Sequence, residues 1–114
     1  MGAFVISKRF NGEYKFVFTS RKGKVIFTSP GYALKAHCEL GIEHLKDNVV
    51  TSTYIRIKAS NGKFFFKLLH NDVVLAMSRK YSTELRLQKG IDEIIRDAKQ
   101  AEVLDFSEND NIFG

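Results

Sequence analysis

The chain has 114 residues, 44% of them hydrophobic, and a formal net charge of +5. That length suits one domain, and the apolar content excludes a disordered chain. No apolar run approaches the ~20 residues of a membrane-spanning helix, and the single cysteine, Cys38, excludes an internal disulfide.

Phe4-Val5-Ile6 opens a first strand that runs out at Lys8-Arg9. A short apolar stretch followed by charges is not a signal peptide, so a reducing cytoplasm is the expected location. Asn11-Gly12 tolerates positive φ and marks a turn. Tyr14, Phe16 and Phe18 then alternate along a second strand, from Glu13 to Thr19. Arg21-Lys22-Gly23-Lys24 makes the next turn, and Val25 to Thr28 is a third strand broken by Ser29-Pro30-Gly31. Here the period changes. Leu34, Cys38, Ile42 and Leu45 recur at helical spacing and predict a helix from about Ala33 to Asp47, with Asn48 as a left-handed stop.

The same order returns. Tyr54 to Lys58 is a strand, Asn61-Gly62 a turn, and Phe64, Phe66 and Leu68 alternate in the next strand. Val73 to Met77 is a third strand. Leu87, Ile91, Ile94 and Ala98 predict a helix from about Ser82 to Lys99, capped by Ser82 or Thr83. Glu102 to Phe106 reads as a last short strand, and 107–114 as a mobile polar tail.

The chain therefore contains itself twice. Asn11, Gly12, Tyr14 and Phe16 return 50 residues later as Asn61, Gly62, Phe64 and Phe66; Ser29, Tyr32, Gly41 and Ile42 return 49 later as Ser78, Tyr81, Gly90 and Ile91. One residue is missing from the second copy, where Arg21-Lys22-Gly23 meets Asn71-Asp72. Two copies, about 3–50 and 53–106, are each too short for a comfortable core, so a shared interior in a single domain is expected. The implied unit is β-β-β-α-β. Two such units form an α+β domain, with one antiparallel-rich sheet and both helices on one face. Gly41 and Gly90 fall mid-helix, where glycine costs ~1 kcal/mol relative to alanine. The simplest account is that each lets its helix approach the sheet closely.

The spaced elements Asn-Gly-Glu-Tyr-Lys-Phe (11–16), Ser-Pro-Gly-Tyr (29–32) and Gly-Ile-Glu-His-Leu-Lys-Asp-Asn (41–48), echoed by the second copy, resemble the YegP-like proteins. These are small bacterial tandem-repeat proteins of unknown function. The resemblance covers about residues 3–106 and implies a single sheet in which the C-terminal strand of each unit is exchanged onto the other. It supplies no catalytic residues. The chain departs from the family pattern at Asn48-Val49-Val50, where Asn-Ala-Pro is common.

Chemistry is sparse. His37 and His44 stand two turns apart, too far for chelation on one helix, so no metal or cofactor is expected. Ser29 and Ser78 precede tyrosines but lack a repeated base, and read as turn hydroxyls with Tyr32 and Tyr81 as lids on the core. The charge is uneven: residues 1–57 carry nine Lys/Arg against four acids, and residues 58–114 nine against nine. Lys8, Arg9, Arg21, Lys22 and Lys24 are the candidate contacts for a nucleic acid or other polyanion. Val17, Phe65 and Leu69 lie out of phase with the core aromatics, and Val73, Leu75 and Met77 alternate with Val74 and Ala76. The sheet's far face should thus carry an apolar patch, a candidate surface for a homodimer or protein partner centred on Phe65. A non-enzymatic binding or interaction module is the leading expectation, and polyanion binding the alternative.

Overall fold

The computed structural model describes residues 2–108. Strands β1 (Ala3–Lys8), β2 (Tyr14–Thr19) and β3 (Val25–Thr28) precede helix α1 (Lys35–Asp47). Strands β4 (Thr53–Lys58), β5 (Phe64–His70) and β6 (Val73–Ser78) precede α2 (Glu84–Asp97), a 3₁₀ turn at Ala98–Gln100 and β7 (Glu102–Asp105). All seven strands form one sheet in the order β4-β5-β6-β3-β2-β1-β7. The copies meet where β3 pairs antiparallel with β6 (Phe27 with Ser78, Thr28 with Met77). The exchange of C-terminal strands is present. β4, which follows α1, pairs with β5 of the second copy, and β7, which follows α2, pairs in parallel with β1 of the first.

The interior is shared. Phe4, Phe16, Phe18 and Phe27 from the first copy and Phe66 and Leu68 from the second belong to one buried cluster, closed by Leu45 of α1 and Ile94 of α2. Complete burial of each phenyl ring contributes about 1.5–3 kcal/mol, a sum that neither half would reach alone. Phe4, Phe18 and Phe27 pack with ring centres 5.0–6.1 Å apart in tilted and stacked pairs.

Local chemistry repeats as faithfully as the packing. Ser29 Oγ accepts the Phe16 N–H at 2.9 Å and donates to Pro30 O; Ser78 Oγ accepts the Phe66 N–H at 2.9 Å and donates to Arg79 O. Gly12 and Gly62 adopt φ of 87° and 82°, as the Asn-Gly turns require. The shortened turn of the second copy compensates for its lost residue with two left-handed positions, Asn71 (φ 51°) and Asp72 (φ 64°). Thr83 Oγ1 caps α2 by accepting the Arg86 N–H at 3.1 Å.

Four expectations change. Leu34 is not part of the α1 stripe; it is the extended N-cap residue and is exposed. Asn48 does not stop α1 in the left-handed region (φ −121°), because its side-chain amide donates to His44 O at 2.8 Å instead. Strict alternation fails in β6, where the register shift at Leu68/Leu69 turns both Leu75 and Ala76 into the core and leaves Val74 and Met77 facing out. The same shift at Phe18/Thr19 buries Ile26 and Phe27 together. Finally, Ser107 is buried and hydrogen-bonds through N and Oγ to Asp105 Oδ1, and Glu108 pairs with Lys35. The remainder of the expected tail, 109–114, lies outside the described residues.

Candidate functional site: two equivalent clefts with different rims

Each helix runs beside the β-turn of the other copy, and a shallow cleft opens along each seam. One cleft, about 330 Å³, lies between α2 and the β2–β3 turn; its counterpart, about 420 Å³, lies between α1 and the β5–β6 turn. The same nine repeat positions line both. Ser20, Arg21, Lys24, Ile26, Tyr81, Arg86, Lys89, Gly90 and Glu93 in the first cleft correspond to His70, Asn71, Val73, Leu75, Tyr32, His37, Leu40, Gly41 and His44 in the second.

The floor is conserved between the two clefts and the rim is not. In each, a tyrosine at the end of the third strand's loop makes an isolated bridge to the second strand (Tyr32 to Tyr14, Tyr81 to Phe64) and lays its ring under the helix. Its phenol oxygen lies where a Cβ on Gly41 or Gly90 would stand. The mid-helix glycines therefore make room for a tyrosine hydroxyl rather than for the sheet backbone itself. Burial raises the pKa of both phenols, so each stays a neutral donor at physiological pH.

The rims differ in kind. Arg21, Lys22, Lys24, Arg79, Arg86, Lys89 and Arg96 surround the α2 cleft, with Glu93 as the one acid among the described residues lining it. A contiguous recess of about 300 Å³ shares Lys24, Arg79, Tyr81, Arg86 and Lys89 and adds Lys63 and Lys80. Nine of the chain's 18 Lys and Arg residues thus line one surface. Among the described residues, the ion pairs are Lys35 with Asp105 and Glu108, and Arg96 with Asp97, so only one of the nine is neutralised. The Arg79 guanidinium lies 5.4 Å from the Tyr81 ring centre. Arg86, Lys89 and Arg96 follow one side of α2 over ten residues, about 15 Å.

Of the residues singled out from sequence, Arg21, Lys22 and Lys24 line this cleft. Lys8 and Arg9 do not join them. They belong to the β1–β2 turn, at the far end of β2, about 17 Å away along the strand. Lys8 instead lies over the Tyr14 ring at 5.5 Å. The sequence reading missed the six cations of the second copy, because nine acids cancel its net charge. The available signals were local: the Arg79-Lys80 pair and the i, i+3 spacing of Arg86 and Lys89.

Val17, Phe65 and Leu69 lie on the sheet face opposite the helices and are half-buried. The row across that face runs Leu104, Val5, Val17, Thr28, Met77, Lys67, Ile55, so charge and hydroxyl interrupt it. Lys80 lies over the Phe65 ring at 5.9 Å.

Among the described residues, no group of three or more His, Cys, Asp or Glu side chains converges to hold a metal, and no helix is long and apolar enough to cross a membrane. Cys38 is buried in α1; burial and then nearby Glu39 and Asp105 push its thiol up to about 11.

A seven-stranded mixed sheet with two helices on one face, built from a duplicated unit, defines a tandem-repeat α+β protein. The chain belongs to the family described as Domain of unknown function (DUF1508), whose model matches twice, over residues 11–55 and 59–105. It is similar to a UPF0339 protein of Acinetobacter baylyi, 33% identical over 108 residues and covering 93% of this chain and 97% of that one. It is also similar to the UPF0339 protein YegP of Escherichia coli O157:H7, 35% identical over 92 residues, 79% of this chain and 84% of that one. Two solution NMR structures share the fold at 30% identity. The protein of unknown function yegP from E. coli superposes with a TM-score of 0.85, covering 93% of each chain. A UPF0339 protein from Shewanella oneidensis superposes at 0.86, covering 93% of this chain and 92% of that one.

Proposed function

We propose that this protein is a non-enzymatic binding module that takes a multiply charged anion in the α2 cleft. One observation carries the reading: nine cations gather on a surface where eight have no acidic partner among the described residues. Uncompensated like charges repel and cost stability, and a bound anion relieves that cost. The spread of the row along α2 suits several phosphates or sulfates in series rather than one. Among the described residues Tyr81 is the only aromatic side chain lining the cleft; Arg79 covers its ring and its hydroxyl packs on Gly90, so these residues offer no stacking platform for bases. Recognition is by charge and spacing, not by sequence.

Several features support a non-enzymatic role. The hydroxyls of Ser29 and Ser78, the residues nearest to a nucleophile pattern, are buried and committed to backbone hydrogen bonds. The Cys38 thiol is buried and protonated at neutral pH. A reducing cytoplasm suits that lone thiol. The open sheet face is the second proposed surface, for another copy or a protein partner; its interrupted apolar row ranks it below the cleft. Elution from a heparin column tests the first reading. Arg86→Ala/Lys89→Ala elutes at clearly lower salt than wild type, and the open sheet face is read separately, by sedimentation of Phe65→Lys. Co-elution of the double variant with wild type contradicts the proposal.

A further inference from the structure

All three histidines of the chain line the α1 cleft, although His37 and His44 come from the first copy and His70 from the second. His70 ends β5, in phase with the core-facing Phe66 and Leu68, so it turns toward the helices. His44 meets it from α1. Their ring centres are 4.9 Å apart and their planes cross at 69°. Among the described residues, neither imidazole nitrogen is engaged in a side-chain hydrogen bond.

We infer that His44 and His70 form a two-imidazole site for a borderline divalent transition cation, of the Cu²⁺, Ni²⁺ or Zn²⁺ class. The distance between the ring centres is the one that a chelate needs. Imidazole nitrogens sit about 2.0–2.1 Å from such an ion, which puts two ring centres about 5 Å apart on a tetrahedral centre. Two neutral nitrogen ligands suit these ions and not Mg²⁺ or Ca²⁺, which prefer oxygen. Water completes the coordination. His37 stands about 10.5 Å along the helix axis from His44 and serves as the internal control. The corresponding positions of the α2 cleft are Ser20 and Glu93, so the metal site belongs to one cleft only.

Titration calorimetry of untagged protein with Cu²⁺, and NMR of the imidazole rings on adding Zn²⁺, test the site. His44→Ala and His70→Ala each weaken Cu²⁺ binding at least tenfold, and His37→Ala changes it less than twofold. Zn²⁺ shifts the His44 and His70 ring signals and leaves His37 in place. Circular dichroism confirms that the variants fold. Absence of Cu²⁺ binding in wild type, unchanged affinity in His44→Ala or His70→Ala, or an equal loss in His37→Ala overturns the inference.

Discussion

The phenol oxygen of Tyr81 fills the space that a Cβ on Gly90 would need, and Tyr32 stands in the same relation to Gly41. Helix propensity alone favours alanine at both sites by ~1 kcal/mol. Overpacking a buried contact costs about 1–3 kcal/mol, and here the neighbour is a ring fixed by its bridge to the second strand. Gly90→Ala and Gly41→Ala therefore destabilise by up to about 2 kcal/mol net in urea melts. Adding Tyr81→Phe to Gly90→Ala removes the nearest colliding atom and recovers part of the loss. Additive effects would show that the two residues do not meet.

Ser29 and Ser78 each satisfy a buried strand N–H. Replacement by alanine strands that donor, at a cost of about 1–3 kcal/mol per site. Equilibrium unfolding should show similar losses for Ser29→Ala and Ser78→Ala, because the two geometries match. A loss at only one site would break the equivalence of the copies.

Lys35 at the start of α1 and Asp105 at the end of β7 form an ion pair that ties the last strand to the first copy. Partial burial acts to raise the Asp105 pKa, but the Lys35 ammonium and the Ser107 hydroxyl and N–H outweigh it and hold the carboxyl below its ordinary value. The unfolded chain then takes up the proton first as pH falls. The stabilisation is complete above the ordinary value of about 3.9 and is lost as pH falls through the folded value. Wild type is more stable than Asp105→Asn at neutral pH, and the gap narrows as pH falls below the ordinary carboxylate value of about 3.9. A pH-independent gap would rule out the carboxylate as its source.

Cys38 is fully buried, and its thiol is pushed up to about 11. Because thiolate is the reactive form, folded protein resists alkylation at pH 8, and the reaction becomes fast only in denaturant. Rapid labelling of the native state, followed by mass spectrometry, would place Cys38 at the surface.

The fold was legible because the duplication supplied two readings of every element. Phe16 and Phe66, Leu45 and Ile94 each occupy matching buried positions in one shared interior. What escaped was produced by register and by tertiary contact. The bulges that bury Leu75 with Ala76 and Ile26 with Phe27 break the alternation on which a strand's faces are assigned. The approach of Tyr32 to Gly41 crosses nine residues of chain, and nothing in either residue announces the other. The cationic cleft joins the β2–β3 turn to a helix from the other copy, so charge summed along the chain split its members between a basic half and a neutral one. His44 and His70 were separated in the same way.

The central claim is that one duplicated scaffold presents two matched clefts, of which the α2 cleft holds a polyanion. The most direct measurement is the salt dependence of binding to labelled single-stranded DNA and to inorganic polyphosphate. Affinity should fall linearly with salt on logarithmic axes for both ligands, and Arg86→Ala/Lys89→Ala should reduce the magnitude of the DNA slope by about 1.4, two contacts' worth. Lys8→Ala/Arg9→Ala, at the other end of the sheet, should retain most of the wild-type affinity and slope. Equal binding by wild type and Arg86→Ala/Lys89→Ala, or a larger loss in Lys8→Ala/Arg9→Ala, would contradict the account.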